Sequence, residues 1–227
     1  MPSKAIDVMV SAVRRTLVAS PPRNVPAWRV LRRQWSKALR DRSAADVIEL
    51  AERVLDVEPW GRVTAYELLS VHPAALAALT APSLRRLGTG LADWASTDSF
   101  ACLVAGPAWR EGHVSSTLIR EWLASRDRWL RRAAVVCTVA LNVRARGGRG
   151  DPKRTLAVLR RVVDDHDDMV VKAVSWALRS LVEWDRKGVE EFVRTHDARL
   201  AARIKREVGT KLRTGKKNVR RANLAPG

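Results

Sequence analysis

A repeat at a spacing of forty residues is the feature of this sequence that most restricts its fold. Residues 127–135 align with residues 167–175: an acidic residue opens each segment, a basic residue follows five positions later, and alanine comes next. An acidic helix N-cap followed by basic and small residues, repeated at about 40 positions, is typical of HEAT-like repeats. We therefore predict an all-α fold, a HEAT-like helical-repeat solenoid in which stacked helix pairs form a curved α–α superhelix.

The spacing of apolar residues extends this helical prediction along the chain. Ser43 is a plausible N-cap, and three prolines between positions 21 and 26 should interrupt the first two helices. We expect a single domain over residues 1–213 and a basic flexible tail over 214–227. The segments 144–150 and 209–227 are expected to lack regular structure. The predicted helices cover residues 5–19, 27–39, 43–57, 60–72, 74–80, 83–88, 114–124, 127–143, 152–164, 168–184, 187–195 and 197–212.

The charge of the chain indicates an acidic partner. Lys and Arg number 42 against 24 Asp and Glu, which gives a net charge of +18. Such an excess is typical of proteins that bind nucleic acid or an anionic membrane surface. No apolar run approaches the ~20 residues of a membrane span, so we expect no membrane partner. Cys102 and Cys137 lie in apolar stretches and predict buried thiols in a reducing cytoplasm. We expect a cytoplasmic, nucleoid-associated monomer.

Trp94 and Asp98 form the first candidate site. They are four residues apart, which on a helix places an indole and a carboxylate on the same face. A carboxylate retained beside an aromatic in so basic a chain suits chemistry on a polyanion. Each residue also has an ordinary interpretation: Asp98 as the N-cap of a following helix, and Trp94 as a core side chain.

Two further pairs combine an indole with a guanidinium. Trp129 and Arg132 are three residues apart, as are Trp176 and Arg179. Arg is suited to bidentate phosphate contacts, and an indole can pack on a sugar or a base. One such pair alone is more typical of an amphipathic helix with a core Trp, whereas pairs on separate helices favour a shared binding surface.

The remaining polar clusters predict no cofactor. Residues 164–168, Asp-Asp-His-Asp-Asp, resemble a metal site in composition, but no second His or Cys accompanies them at ligand spacing. We interpret them as a solvated turn in which Asp167 or Asp168 caps the next helix. Gly-rich phosphate loops and nucleophile elbows are absent from the sequence. We therefore expect neither a metal nor an organic cofactor.

The ordered motifs resemble those of AlkD-type DNA alkylation repair proteins, the HEAT-like-repeat DNA glycosylases. The matching runs are Trp-x-x-x-Asp at 94–98, Asp-x-Trp-Leu-Arg-Arg-Ala-Ala at 127–134 and Lys-Ala-Val-Ser-Trp-Ala-Leu-Arg at 172–179. The resemblance covers about 60–213 and implies Asp98 as the catalytic carboxylate. It also implies that Trp94 and Trp176 flank the sugar–phosphate backbone of the lesion, and that Arg132 and Arg179 contact phosphate. Asp93 departs from the pattern, since an aromatic residue can precede the motif tryptophan.

Two functional hypotheses follow from the sequence. The first is a monofunctional glycosylase that removes N3- or N7-alkylated purines from duplex DNA. The second is a non-catalytic HEAT-repeat module that binds damaged, branched or structured nucleic acid, since the charge and the basic tail suit both. A protein-interaction scaffold fits less well, because its surface need not be basic.

Overall fold

The computed structural model describes residues 4–19 and 24–216, and these residues form helices and turns without any β-strand. The prediction of an all-α helical-repeat fold is confirmed. The chain divides into two compact units, Met1–Trp122 and Leu123–Gly227. None of the helices within the described ranges is both long and apolar enough to cross a bilayer.

The first unit contains nine α-helices, counted over its described residues. The last of them continues across the boundary between the units. They are α1 (Lys4–Ala19), α2 (Val25–Leu39), α3 (Ala44–Arg53), α4 (Gly61–Ser70), α5 (Pro73–Ala77), α6 (Ala81–Gly88), α7 (Trp94–Phe100), α8 (Gly106–Arg110) and α9 (Ser116–Leu123).

The starts of α2 and α3 follow from their capping residues. The Ser43 hydroxyl accepts a hydrogen bond from the Asp46 amide at 3.1 Å, so the predicted cap of α3 is confirmed. α2 begins two residues earlier than predicted, because the Asn24 side chain accepts from the Ala27 amide at 3.0 Å. Pro26 fits within the first turn, where no backbone N–H is needed. α3 ends at Arg53 rather than at residue 57.

The core of the first unit is built around Phe100. Its ring centroid lies 5.4 Å from that of Tyr66 and 5.6 Å from that of Trp122. The Tyr66 hydroxyl donates to the Leu87 carbonyl at 2.8 Å. Burial raises the pKa of the Tyr66 phenol to about 12, so it remains a neutral donor. Because Phe100 ends α7, this cluster fixes the helix that carries Trp94 and Asp98.

The described part of the second unit contains α10 (Arg128–Asn142), α11 (Pro152–Leu159), α12 (Asp168–Leu181), α13 (Arg186–Thr195) and α14 (Ala202–Thr214). Three of these helices pack in succession, α10 against α12 and α12 against α14. α11 and α13 pack beside α12.

The forty-residue repeat corresponds to α10 and α12. The Asp127 carboxylate caps α10 by accepting from the Trp129 amide at 2.8 Å, and the Asp167 carboxylate caps α12 by accepting from Met169 at 2.9 Å. The matched Ala133 is fully buried, as is its counterpart in α12. Small residues allow the two helices to approach closely, as the repeat predicts.

The segment 144–150 is folded, and the expectation that it lacks structure is wrong. It contains a 3₁₀ turn, Arg144–Arg146, and the amides of Arg149 and Gly150 both donate to the Leu141 carbonyl at 3.0 Å. Gly150 has φ +82° and lies so close to the Trp184 ring that an added Cβ would stand 2.6 Å from it. Packing against Trp184 therefore requires glycine at position 150, and this glycine does not indicate disorder.

The predicted tail is only partly described by the structure. α14 continues to Thr214, so the expectation of irregular structure from residue 209 is wrong. Gly215 has φ +69° and ends the helix in the left-handed conformation that glycine adopts readily. Residues 217–227 of the predicted tail lie outside the described residues.

Candidate functional site

The predicted site residues are divided between the two units, and Trp94 and Asp98 belong to the first. Trp94 is the first residue of α7, and its side chain is 61% exposed. All nine tryptophans lie in the described ranges, and Trp94 is the only one that is exposed rather than buried or half-buried. Asp98 lies one turn later on the same helix and is half-buried. The exposed indole offers a flat face on which a sugar or a base can pack.

Asp93, and not Asp98, caps α7. The Asp93 carboxylate accepts from the amides of Ala95 and Ser96 at 2.7 and 2.9 Å, and from the Ser96 hydroxyl at 2.5 Å. Partial burial favours the neutral carboxyl, but these hydrogen bonds outweigh it and lower the pKa of Asp93. Asp98 lies inside the helix, so the interpretation of Asp98 as an N-cap is wrong. The residue that departs from the family pattern supplies the cap instead.

A π-helical segment, Ala101–Ala105, directly follows the turn that carries Asp98. The Ala101 amide contacts the carbonyls of Thr97 and Asp98. π-Helical turns are rare and occur frequently at functional sites. The one sequence signal for it was Pro107, which lacks the N–H that an α-helix would donate to the carbonyl four residues earlier.

Arg132 lies in the second unit and is buried, with 5% of its surface exposed. Its Nη1 donates to the Met169 carbonyl at 2.5 Å, which joins α10 to the first turn of α12. A phosphate contact needs an accessible guanidinium, so burial does not favour the predicted contact between Arg132 and a phosphate. The structure assigns Arg132 to the packing of the repeat pair.

Replacing Arg132 with Ala should lower the free energy of unfolding by about 2 kcal/mol, because a buried carbonyl loses its charged partner. Urea unfolding followed by circular dichroism measures this change. Arg128→Ala is the matched control, since the Arg128 side chain is 57% exposed on the same helix; it should cost no more than about 0.5 kcal/mol. Equal, small losses for both variants would contradict the packing role.

Trp176 and Arg179 line one cavity of about 350 Å³ in the second unit. The Arg179 side chain is 12% exposed, and its Nη2 lies 3.6 Å from a Glu207 carboxylate oxygen. Glu207 also accepts from the Ser175 hydroxyl at 2.7 Å and lies 3.2 Å from Arg203. Glu207 is therefore shared between the guanidinium groups of Arg179 and Arg203.

The electrostatics of Arg179 favour binding of an anion. Burial lowers the pKa of its guanidinium, and the Glu207 carboxylate only partly offsets this. Arg remains charged at physiological pH, so the partly desolvated cation has Glu207 as its counterion at 3.6 Å. A phosphate entering the cavity would add a second anionic partner.

Two further cations line the same cavity, Arg144 and Lys211. The Arg144 guanidinium carbon lies 4.5 Å from the centre of the Trp184 ring, a cation–π contact that positions it. Lys211 Nζ lies 3.4 Å from a Glu183 oxygen. Sequence reasoning missed both residues as site candidates because they belong to the segments expected to be unstructured. Their basic character was the available signal.

The acidic cluster 164–168 has a structural role, which agrees with its interpretation as a turn before a helix. Asp167 caps α12, and the other three carboxylates pair with basic residues. Within the described part of the chain, no group of His, Cys, Asp and Glu side chains is arranged to hold a metal ion. The pairs are Asp164 with Arg199, Asp165 with Arg131, and Asp168 with Lys172 and Arg203.

An all-helical protein of high positive charge, with a cation-lined cavity beside a tryptophan, defines a nucleic-acid-binding class. The comparison with known families makes this specific. A model of the family described as DNA alkylation repair enzyme matches residues 23–212, and the chain belongs to that family. The match runs from the residue before the N-cap of α2 into α14. No curated protein and no solved structure matches the chain significantly. The protein is thus placed in the repair of alkylated DNA, with DNA as its partner.

Proposed function

We propose that the protein is a monofunctional DNA glycosylase that hydrolyses the N-glycosidic bond of positively charged N3- or N7-alkylated purines in duplex DNA. The product would be an abasic site. The observation that carries the proposal is the position of Trp94 on α7, exposed and one turn from Asp98. Membership of the DNA alkylation repair enzyme family supplies the substrate class.

The chemistry requires only one carboxylate. Cleavage of the glycosidic bond builds positive charge on the deoxyribose. A purine alkylated at N3 or N7 is already cationic, so it leaves as a neutral base without a general acid. Asp98 stabilises the developing sugar cation and positions or deprotonates the attacking water. Trp94 packs against the sugar–phosphate backbone beside the lesion.

The cavity of the second unit contacts the DNA backbone in this proposal. Arg179 contacts a phosphate, with Arg144 and Lys211 adding charge and Trp176 packing on a sugar. Support comes from the weak counterion of Arg179 and from the three cations that line one cavity. Arg132 holds the helix pair together, so we propose no phosphate contact for it.

The direct test is release of the alkylated base. Duplex DNA treated with a methylating agent, incubated with the protein, should yield free 7-methylguanine or 3-methyladenine by chromatography. The strand should stay intact until alkali cleaves the abasic site. Tight, salt-dependent binding without release of any base would contradict the glycosylase proposal and favour a non-catalytic nucleic-acid-binding module.

A further inference from the structure

A second cation-lined cavity lies within the first unit. Its volume is about 650 Å³, and α2, α4 and α5 contribute its walls. Its Lys and Arg lining residues come from α2 and from Arg40, the residue that follows it, and no carboxylate of the described residues lines the cavity. The apolar part of the wall comes from all three helices. The lining residues used below are Arg32, Arg33, Lys37, Arg40, Val71 and His72.

Three of these cations have no carboxylate partner. Arg33, Lys37 and Arg40 form no ion pair within residues 4–19 and 24–216 and are exposed. Arg33 and Lys37 are four residues apart, so like charges repel across one helical turn. Arg53 of the same unit, by contrast, is paired with Asp7 at 2.7 Å. Cations left together at a concave surface indicate an anionic ligand.

Arg32 adds a half-buried cation with a distant partner. Its Nε is buried without a hydrogen bond in the described structure, and the Glu67 carboxylate lies 3.9 Å away. A buried polar atom of this kind requires an explanation. An anion in the cavity would give the guanidinium a bidentate partner.

The cavity also provides an imidazole ring and an apolar wall. His72 is 8% exposed, and its Nδ1 accepts from the Ala75 amide at 3.1 Å. In the neutral imidazole the other nitrogen, Nε2, therefore carries the proton. Val71, which is 44% exposed, offers carbon atoms against which a sugar can pack. Among the described residues, the lining includes no Trp, Tyr or Phe ring on which a base could stack.

We propose that this cavity binds a sugar–phosphate segment of a DNA strand, with Arg32, Arg33, Lys37 and Arg40 on the phosphates and the apolar wall on deoxyribose. The contact does not depend on base identity. It rests on DNA being the partner of this family and is independent of any chemistry at Asp98. The first unit thus holds duplex DNA at a second place besides Trp94.

The test is the salt dependence of binding to an unmodified duplex. Each phosphate contact contributes about −0.9 to the slope of log K against log salt. Arg33→Gln combined with Lys37→Gln should therefore make the slope shallower by about 1.8. Arg15→Gln is the control, because Arg15 is exposed on α1 and lines neither cavity; its slope should be unchanged. If the double variant changes the slope no more than this control does, the proposal is overturned.

A second pair of variants tests whether DNA binds at this cavity, and does not remove any cation. Val71 and Val18 are both exposed, but only Val71 lines the cavity. Val71→Glu places a carboxylate at the cavity wall and should weaken duplex affinity about tenfold. Val18→Glu should change it by about twofold at most. Equal effects would contradict a local site.

A sugar and a phosphate can come from a DNA strand or from a free nucleotide, and a titration with a free nucleotide distinguishes the two. In a titration with deoxyadenosine monophosphate, we expect no saturable binding that is lost when Arg33→Gln and Lys37→Gln are combined. Such binding, with an unchanged duplex slope, would overturn the DNA contact in favour of a free nucleotide. Because the duplex carries no lesion, these results do not depend on whether the protein releases alkylated bases.

Discussion

Replacing Asp98 with Asn should lower the rate of alkylpurine release roughly 100- to 1,000-fold, with little change in affinity for duplex DNA. Asn keeps the shape of the side chain but removes the negative charge that would stabilise the sugar cation. Single-turnover assays on methylated duplex measure the rate, and fluorescence anisotropy measures the affinity.

The fold should tolerate this substitution. Asp98 lies within α7 and does not cap it, since the Asp93 side chain accepts the first amides. Asn and Asp have similar helix propensities. The thermal midpoint should therefore change little, and a lost rate cannot be ascribed to unfolding.

Asp93→Asn is the matched control, because it removes a carboxylate from the same segment while Asn remains a good N-cap. It should keep most of the activity. Full activity of the Asp98→Asn variant would falsify the proposed mechanism. Equal losses in both variants would instead indicate a general effect of charge.

The sequence predicted most of the helices because their signals are local. Ser43 and Asp127 cap the helices that they were expected to cap, and the forty-residue repeat identified the α10 and α12 pair. The predicted first residue of a helix was less accurate where a cap was overlooked, as with Asn24 before α2. A helix cap and the spacing of apolar residues depend on residues within one or two helical turns, so both can be recognised directly in the sequence.

The site was predicted less completely because burial depends on neighbouring helices. Arg132 and Arg179 each follow a tryptophan by three residues, and the sequence treats them alike. The structure separates them: Arg132 donates to a carbonyl of α12, whereas Arg179 lines a cavity. Which neighbour lies beside each guanidinium is a property of packing and not of spacing.

The segment 144–150 was missed for a similar reason. Arginine and glycine are common in disordered chains, so composition favoured an irregular loop. Asn142, at the end of α10 and 1% exposed, links α10 to residues Asp151 and Thr155 on the far side of the segment. One buried amide can order a loop whose own composition gives no sign of it.

Replacing Asn142 with Leu should lower the free energy of unfolding by about 3 kcal/mol. The Asn142 Nδ2 donates to the buried Thr155 hydroxyl at 2.9 Å, and its Oδ1 accepts from the Asp151 amide at 2.9 Å. Leucine satisfies neither partner, and each buried group left unsatisfied costs about 1–3 kcal/mol. Urea unfolding measures the loss, and amide hydrogen exchange at 151–155 should become faster.

Asn24→Leu is the control, because the same substitution at an exposed N-cap removes one amide contact and should cost about 1 kcal/mol. If the two variants lose equal stability, Asn142 does not organise the loop. The variant also tests the second unit's cavity, since Asn142 and Arg144 both line it. Asn142→Leu should therefore weaken duplex binding under conditions where it is still folded, whereas Asn24→Leu should leave the Arg144 contact intact.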